Sequence, residues 1–289
     1  MKRAGRLWPY LLVLPALTVY AAFLLYPMAM SFLLSLTDWD GVSAKRAFVG
    51  VANYQRIFVA DPVARVALRN NLVWGLFAVV VPTATGLGFA LLLNRRFSGR
   101  LLCRAVFYGP NILPLVATAL IWTWVFNPHF GLLNEALRAV GLASLARPWL
   151  SEVNTALPAI LLTALWQGAG FPMLLYLAAL QGIPREQYEA AAIDGAGRLR
   201  TFFSITLPWL KEITVVVMTL SLINSLKAFE LVYAMTFGGP SRSTQTLATW
   251  MYFNTFPYNH PGYGSALAWL IAAASMLIAV PYIRMVARR

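Results

Sequence analysis

Six nearly uncharged apolar runs decide the fold class of this chain. They cover approximately 7–36, 70–93, 105–126, 155–180, 213–237 and 265–283. A helix needs roughly 20 mostly apolar residues to cross the ~30 Å hydrocarbon core of a bilayer. Hydrophobic residues make up 60% of the 289 and charged ones 11%, where a soluble domain carries about a quarter charged. An all-α integral membrane protein with six transmembrane helices is therefore expected, as one transmembrane domain over 1–289. The first run follows Lys2, Arg3 and Arg6 but far exceeds the roughly 7–15 apolar residues of a secretory signal, so it is read as a retained span. Pro9, Pro15, Pro27, Pro114, Pro158 and Pro172 fall inside the runs, and kinks are expected there because neighbouring helices can re-satisfy the freed carbonyls.

Charge position matters more than charge total. Lys and Arg number 23 against 10 for Asp and Glu, a net +13, which in a soluble chain would suggest nucleic acid. Here the connections that share a side with the termini hold 14 of the basic residues in 55 positions, against 8 in 88 on the other side. The excess marks orientation, with both termini cytoplasmic, and no nucleic-acid partner is expected. Arg95, Arg96, Arg100 and Arg104 in one inner loop carry the strongest local bias, while five basic residues in the first outer loop run against it. Cys103 stands alone, and His129 and His260 lie far apart, so neither a disulfide framework nor a metal site is expected. No acid, base and nucleophile cluster appears, so no catalytic residue is assigned and no enzyme is expected. A phosphate-cradling G-x-x-x-x-G-K-[ST] loop is missing as well, so any nucleotide chemistry belongs to another chain.

The longest inner loop runs from Gln181 to Pro208. Pro184 suits a first helical position, 185–194 are mostly helix formers, and Gly195 and Gly197 supply a stop. Leu199, Phe202, Phe203 and Thr206 then recur at helical spacing, predicting a second short helix with one apolar face before Pro208 opens the fifth span. Ala190, Ala191 and Ala192 make the first helix thin on one side, and Glu189 and Asp194 offer acceptors to a basic partner. The alternative is an amphipathic helix on lipid headgroups, which Glu186, Glu189 and Asp194 disfavour against an anionic surface.

Polar residues inside spans are by default pathway candidates. Ser221, Asn224 and Ser225 share one side of the fifth helix, with Phe229 and Tyr233 nearby, and Gln167 sits beside Gly168 and Gly170. Amides, hydroxyls and aromatic faces are the chemistry that binds sugars. Hydrogen bonding to a neighbouring helix or to the residue's own backbone is the open alternative for each, and Lys227 and Glu230 at i and i+3 are read alternatively as an ion pair. Trp122 and Trp124 read as interface aromatics.

Glu189-Ala190-Ala191, Gly195 six positions later and Ile205-x-Leu207-Pro208 resemble the E-A-A loop of the membrane subunits of bacterial ABC importers. The carbohydrate-importing branch is matched further by Pro9-Tyr10-Leu11 with Pro15, Tyr26-Pro27, Ser35-Leu36, Phe48-Val49-Gly50 with Asn53-Tyr54, Trp122-x-Trp124 before Asn127, and Trp166 with Gly170-Phe171. Thr236-x-Gly238-Gly239-Pro240 followed by Ser243-Thr244 completes the match, and Glu230 departs from it where many members carry Asp. The resemblance implies a permease of the bacterial cytoplasmic membrane, the first of two non-identical permeases enclosing a mono- or oligosaccharide path. It implies a cytoplasmic ATPase homodimer that holds ATP and Mg, no cofactor in this chain, and a solute-binding protein outside. Glu189, Ala190, Ala191, Asp194, Gly195, Leu207 and Pro208 would couple the ATPase to the spans. The alternatives are a glycerol-3-phosphate or polyol-phosphate permease, or a stand-alone secondary transporter or membrane enzyme.

Overall fold

The computed structural model describes residues 8–95 and 97–287, so Lys2, Arg3, Arg6, Arg96, Arg288 and Arg289 of the orientation argument lie outside the described residues. The fold is helical throughout, and among the described residues the extended pairing consists of one bridge, Thr37 with Phe48. Three helical stretches are long and apolar enough to cross a membrane: Leu12–Ser35, Pro62–Leu93 and Pro261–Tyr282. Three bent pairs also qualify, Arg100–Ile112 with Leu115–Val125, Val153–Gly168 with Gly170–Gln181, and Arg198–Trp209 with Lys211–Leu226. Counting each pair as one span gives six.

The prolines divide into two groups. The sharpest bend, 103°, falls at Leu113-Pro114, where a proline cannot continue the preceding hydrogen bonds. The Val153–Gly168 and Gly170–Gln181 helices meet at 41°, two residues before Pro172. Pro15 and Pro158 lie inside helices that continue through them, as does Pro82 in Pro62–Leu93. That helix starts at Pro62, eight positions before the expected span, because Arg65 and Arg69 are helix formers that extend it beyond its apolar part.

Two compact units divide the chain. The first comprises 1–62 with 250–272. In it Asn53 Nδ2 donates to the carbonyls of Ser35 and Thr37 at 2.9 Å each, and Tyr54 meets the Ser35 hydroxyl at 2.8 Å. Asn53 thereby satisfies carbonyls that the end of the Tyr26–Ser35 helix would leave open. Asp61 accepts from Trp250 Nε1 at 2.8 Å and from the Tyr263 hydroxyl at 2.7 Å, and the Arg56 guanidinium lies over the Tyr263 ring at 4.4 Å.

The second unit comprises 63–249 with 273–289, and two apolar centres stand out among its described residues. One gathers Trp74, Ala119, Phe126, Ile160 and Val232. The other gathers Ala90, Tyr176, Leu180, Ile183, Leu210 and Val217. Small residues let these helices approach closely, as membrane helices require. A methyl on Gly86 would stand 2.5 Å from Pro172 Cβ and 2.9 Å from the Met173 amide nitrogen.

Candidate functional site

The expected fifth span, 213–237, is two helices. Lys211–Leu226 ends at Lys227, and a second helix, Glu230–Thr236, starts after Phe229 leaves the helical region at φ −130°, ψ −60°. Beside this break lies a cavity of about 630 Å³, walled by Trp74, Phe77, Leu115 and Phe171 and given polarity by Asn111, Gln167, Ser221 and Asn224. An apolar pocket with a few convergent polar groups is the usual form of a small-molecule site.

Of the six residues expected along a path, Gln167, Ser221, Asn224, Ser225 and Phe229 line this one cavity. Tyr233 is outside its lining and stacks on Phe229, ring centres 5.1 Å apart and 15° from parallel. Ser225 lines the wall but is 2% exposed, and its hydroxyl donates to the Leu222 carbonyl at 2.7 Å. Its proton is therefore spent on its own helix, the alternative that the sequence left open. Lys227 and Glu230 also line the cavity, and no ion pair joins them. Lys227 caps the C-terminal end of one helix and Glu230 opens the next, so each charge sits where a helix dipole favours it without the other.

Three asparagines were not singled out from the sequence. Asn111 lines the cavity and donates to the Gln167 carbonyl at 3.3 Å. Asn70 and Asn71 are buried near the start of the second span. Asn70 Nδ2 donates to the carbonyls of Ser243 and Gln245 at 2.7 and 2.8 Å, and Asn71 to that of Ser225 at 3.0 Å. An uncharged amide inside or at the head of an apolar run was the available signal.

In the loop from Gln181 to Pro208, Arg185–Ile193 is a helix with no buried residue. Its end is closed by two bonds, the Ala196 amide to the Ala191 carbonyl at 2.8 Å and the Gly195 amide to that of Ala192 at 3.1 Å. Gly195 carries this turn at φ +71°, a conformation that glycine adopts without a Cβ clash. Glu189, Ala190, Ala191 and Asp194 thus stand on or at the end of one exposed helix. A groove of about 400 Å³ is lined by Gln187, Ala190, Ala191, Asp194, Arg200 and Ser204. The loop is tied down by the Tyr188 hydroxyl, 3.1 Å from that of Thr206, and by buried Ile183 and Leu210.

Two details differ from the expected loop. Pro208 does not open one straight helix: Leu207 and Pro208 belong to a short helix that meets Lys211–Leu226 at a 63° bend. The expected helix over 199–206 is an α-helical turn, Arg198–Thr201, followed by a π-helical turn, Phe202–Thr206, so the four residues do not share one environment: Thr206 is buried, Phe202 half-buried, and Leu199 and Phe203 are exposed. A π turn inserts one residue per turn and so rotates all that follows around the axis.

Residues 72–288 match the family model described as binding-protein-dependent transport system inner membrane component. The sulfoquinovosyl glycerol transport system permease protein SmoG of Agrobacterium fabrum is 39% identical over 97% of this chain and 91% of its own length. The trehalose/maltose transport system permease protein MalF of Thermococcus litoralis is 34% identical over 95% and 92%. Among solved structures, a bacterial ABC transporter involved in alginate import is similar in fold, with a TM-score of 0.84 at 22% identity over 99% of this chain and 98% of that one. The family model covers most of the sequence and the relatives nearly all of it, so the chain belongs to the binding-protein-dependent transport system inner membrane components, the ABC-importer permease family.

Proposed function

We propose that this chain forms one side of a sugar translocation path together with a second, non-identical permease. In this reading a cytoplasmic ATPase dimer docks on the Arg185–Ile193 helix, and a solute-binding protein delivers the sugar from outside. Both termini are cytoplasmic, as the basic loops require. The observation that carries the proposal is the cavity at the break of the fifth-span helix, where Ser221, Asn224, Gln167 and Asn111 place hydroxyl and amide groups among aromatic walls. Polyhydroxylated ligands are held by that combination. The names of relatives that transport trehalose, maltose and a sulfoquinovose glycoside support the same class. Lys227 is the one cation of the described lining and shares it with Glu230, which offsets the fixed positive field that a phosphate ester requires and favours a neutral sugar over glycerol-3-phosphate.

Glu189, exposed on a helix whose alanine side is thin, meets a basic residue of the ATPase. Gly195 permits the turn, Asp194 adds an acceptor, and Leu207 and Pro208 pass rigid-body motion into the helix that begins at Lys211. Sugar uptake by the assembled importer in proteoliposomes tests both halves. Glu189→Lys is expected to leave the permease folded while uncoupling uptake and weakening co-purification of the ATPase; normal uptake sinks the docking assignment. Asn224→Ala is expected to weaken uptake with the ATPase still bound, and an unchanged rate and affinity removes this cavity from the path.

A further inference from the structure

The break in the fifth-span helix has a cause outside its own three residues. A helix that ends inside a membrane leaves carbonyls without amide partners where no bulk water can take them. Here the Ser225 and Leu226 carbonyls both accept from Asn71 Nδ2, at 3.0 and 3.4 Å, and the Ser225 carbonyl also accepts from the Ala228 amide at 3.3 Å, the tightened i+3 bond of a last turn. Asn71 Oδ1 accepts from the Leu247 amide at 2.7 Å, and the Thr246 hydroxyl donates to the Ala228 carbonyl at 2.6 Å. One carboxamide, 3% exposed, thus spends both ends on backbone that lies 154 and 176 positions away in sequence. Asn71 itself is not part of the cavity lining.

We propose that Asn71 is the positioning residue of this site: by taking the Ser225 and Leu226 carbonyls it holds 227–229 out of helical conformation and keeps Asn224, Ala228 and Phe229 turned to the cavity. Without its amide those carbonyls have a local remedy, which is to accept from the amides of Phe229 and Glu230 and carry the helix through the break. The aqueous pocket would then lose part of one wall. The proposal rests on the reading of this cavity as the sugar path for its significance, but the break can be measured without any sugar.

Cys103 is the only cysteine of the chain, so a Cys103→Ser background with Ala228→Cys carries a single thiol at the break. The full chain, assembled with its partner subunits in proteoliposomes, is treated with a charged, water-soluble methanethiosulfonate. Asn71→Leu is expected to slow labelling about tenfold or more, the equilibrium factor that the loss of one buried hydrogen bond represents. Asn71→Ala, which adds no bulk, is expected to do the same and decides the matter if the leucine variant does not assemble. Asn134, 1% exposed and bonded to Pro128, Arg147 and Trp149, serves as the structural control. Asn134→Leu is expected to lower thermal stability without changing the labelling rate. Labelling of Asn71→Ala as fast as the parent overturns the proposal, and so does equal slowing by Asn134→Leu. The Asn224→Ala uptake test reports on the sugar path and the thiol on the break, so either reading can fail alone.

Discussion

Gly168 and Gly170 flank one alanine at the bend between two helices, yet a methyl group added at each is expected to act in opposite directions. On Gly170 it would stand 2.6 Å from the Phe107 carbonyl oxygen and 2.7 Å from Tyr108 Cα, at least 0.7 Å inside the ordinary contact of 3.4 Å. Both neighbours are backbone, so no side chain can rotate away; one helix must move off the other. Overpacking of this kind costs about 1–3 kcal/mol. The segment displaced leads directly into Asn111, whose bond to the Gln167 carbonyl is already long at 3.3 Å, so the cavity wall loosens with it. On Gly168 a methyl meets nothing within 4 Å, and replacing a helical glycine by alanine stabilises by about 0.5–1 kcal/mol. At about 2–4 °C per kcal/mol for a chain of this size, Gly170→Ala lowers Tm on the order of 5 °C and Gly168→Ala raises it by roughly 2 °C. Intrinsic tryptophan fluorescence during heating in detergent reads both, since the chain carries 10 tryptophans. Equal shifts of the same sign for the two variants refute the argument, because the sequence neighbourhood is shared and only the tertiary contact differs.

Asp61→Ala strands the Trp250 indole and the Tyr263 hydroxyl, two buried donors. A loss of about 3 kcal/mol follows from charge-assisted bonds of this kind, and Asp61→Asn, which keeps one acceptor oxygen, is expected to lose about half as much on the same heating assay. A Tm for Asp61→Ala within a degree of the parent contradicts that accounting. In the loop after the first span, the amide of Ser43, its hydroxyl and the amide of Val42 hold the Asp40 carboxyl down to about 2. The folded value lies below the ordinary 3.8, so the turn is fully supported above that ordinary value and is lost as pH falls through about 2. The protection of the Val42 and Ser43 amides, each taken against the intrinsic exchange rate at the same pH, is expected to hold above the ordinary value and to fall as pH drops through about 2, and Asp40→Asn is expected to remove that fall.

Much of the architecture was legible locally because the bilayer imposes a rule that every run must meet alone. Apolar length and loop charge needed no knowledge of the fold. The Arg185–Ile193 helix and its glycine stop were likewise written in neighbouring residues, since a helix end is closed by groups within a few positions, here Ala191, Gly195 and Ala196. The family resemblance rested on such local motifs too.

The candidate site was legible only in part. Ser221, Asn224 and Phe229 announced themselves as polar or aromatic residues in a span, and so did Gln167, but their convergence on one cavity did not. A continuous 213–237 helix was the natural reading, because none of Lys227, Ala228 and Phe229 is a proline or glycine. What interrupts the helix is an amide from the second span, 154 positions away in sequence, and a threonine 18 positions on, before the next helix. The alternative roles of Ser225 were separated by the bond of its hydroxyl to Leu222, and Tyr233 left the site because its ring stacks on Phe229. The sequence by itself determined a helical membrane protein of this family with an exposed helix between the fourth and fifth spans, since those follow from local apolar length and turn chemistry. Tertiary structure alone decided where the helix breaks, which glycine is tight and which polar groups face the cavity, because hydrogen bonds and contacts between distant segments leave no periodicity in the sequence.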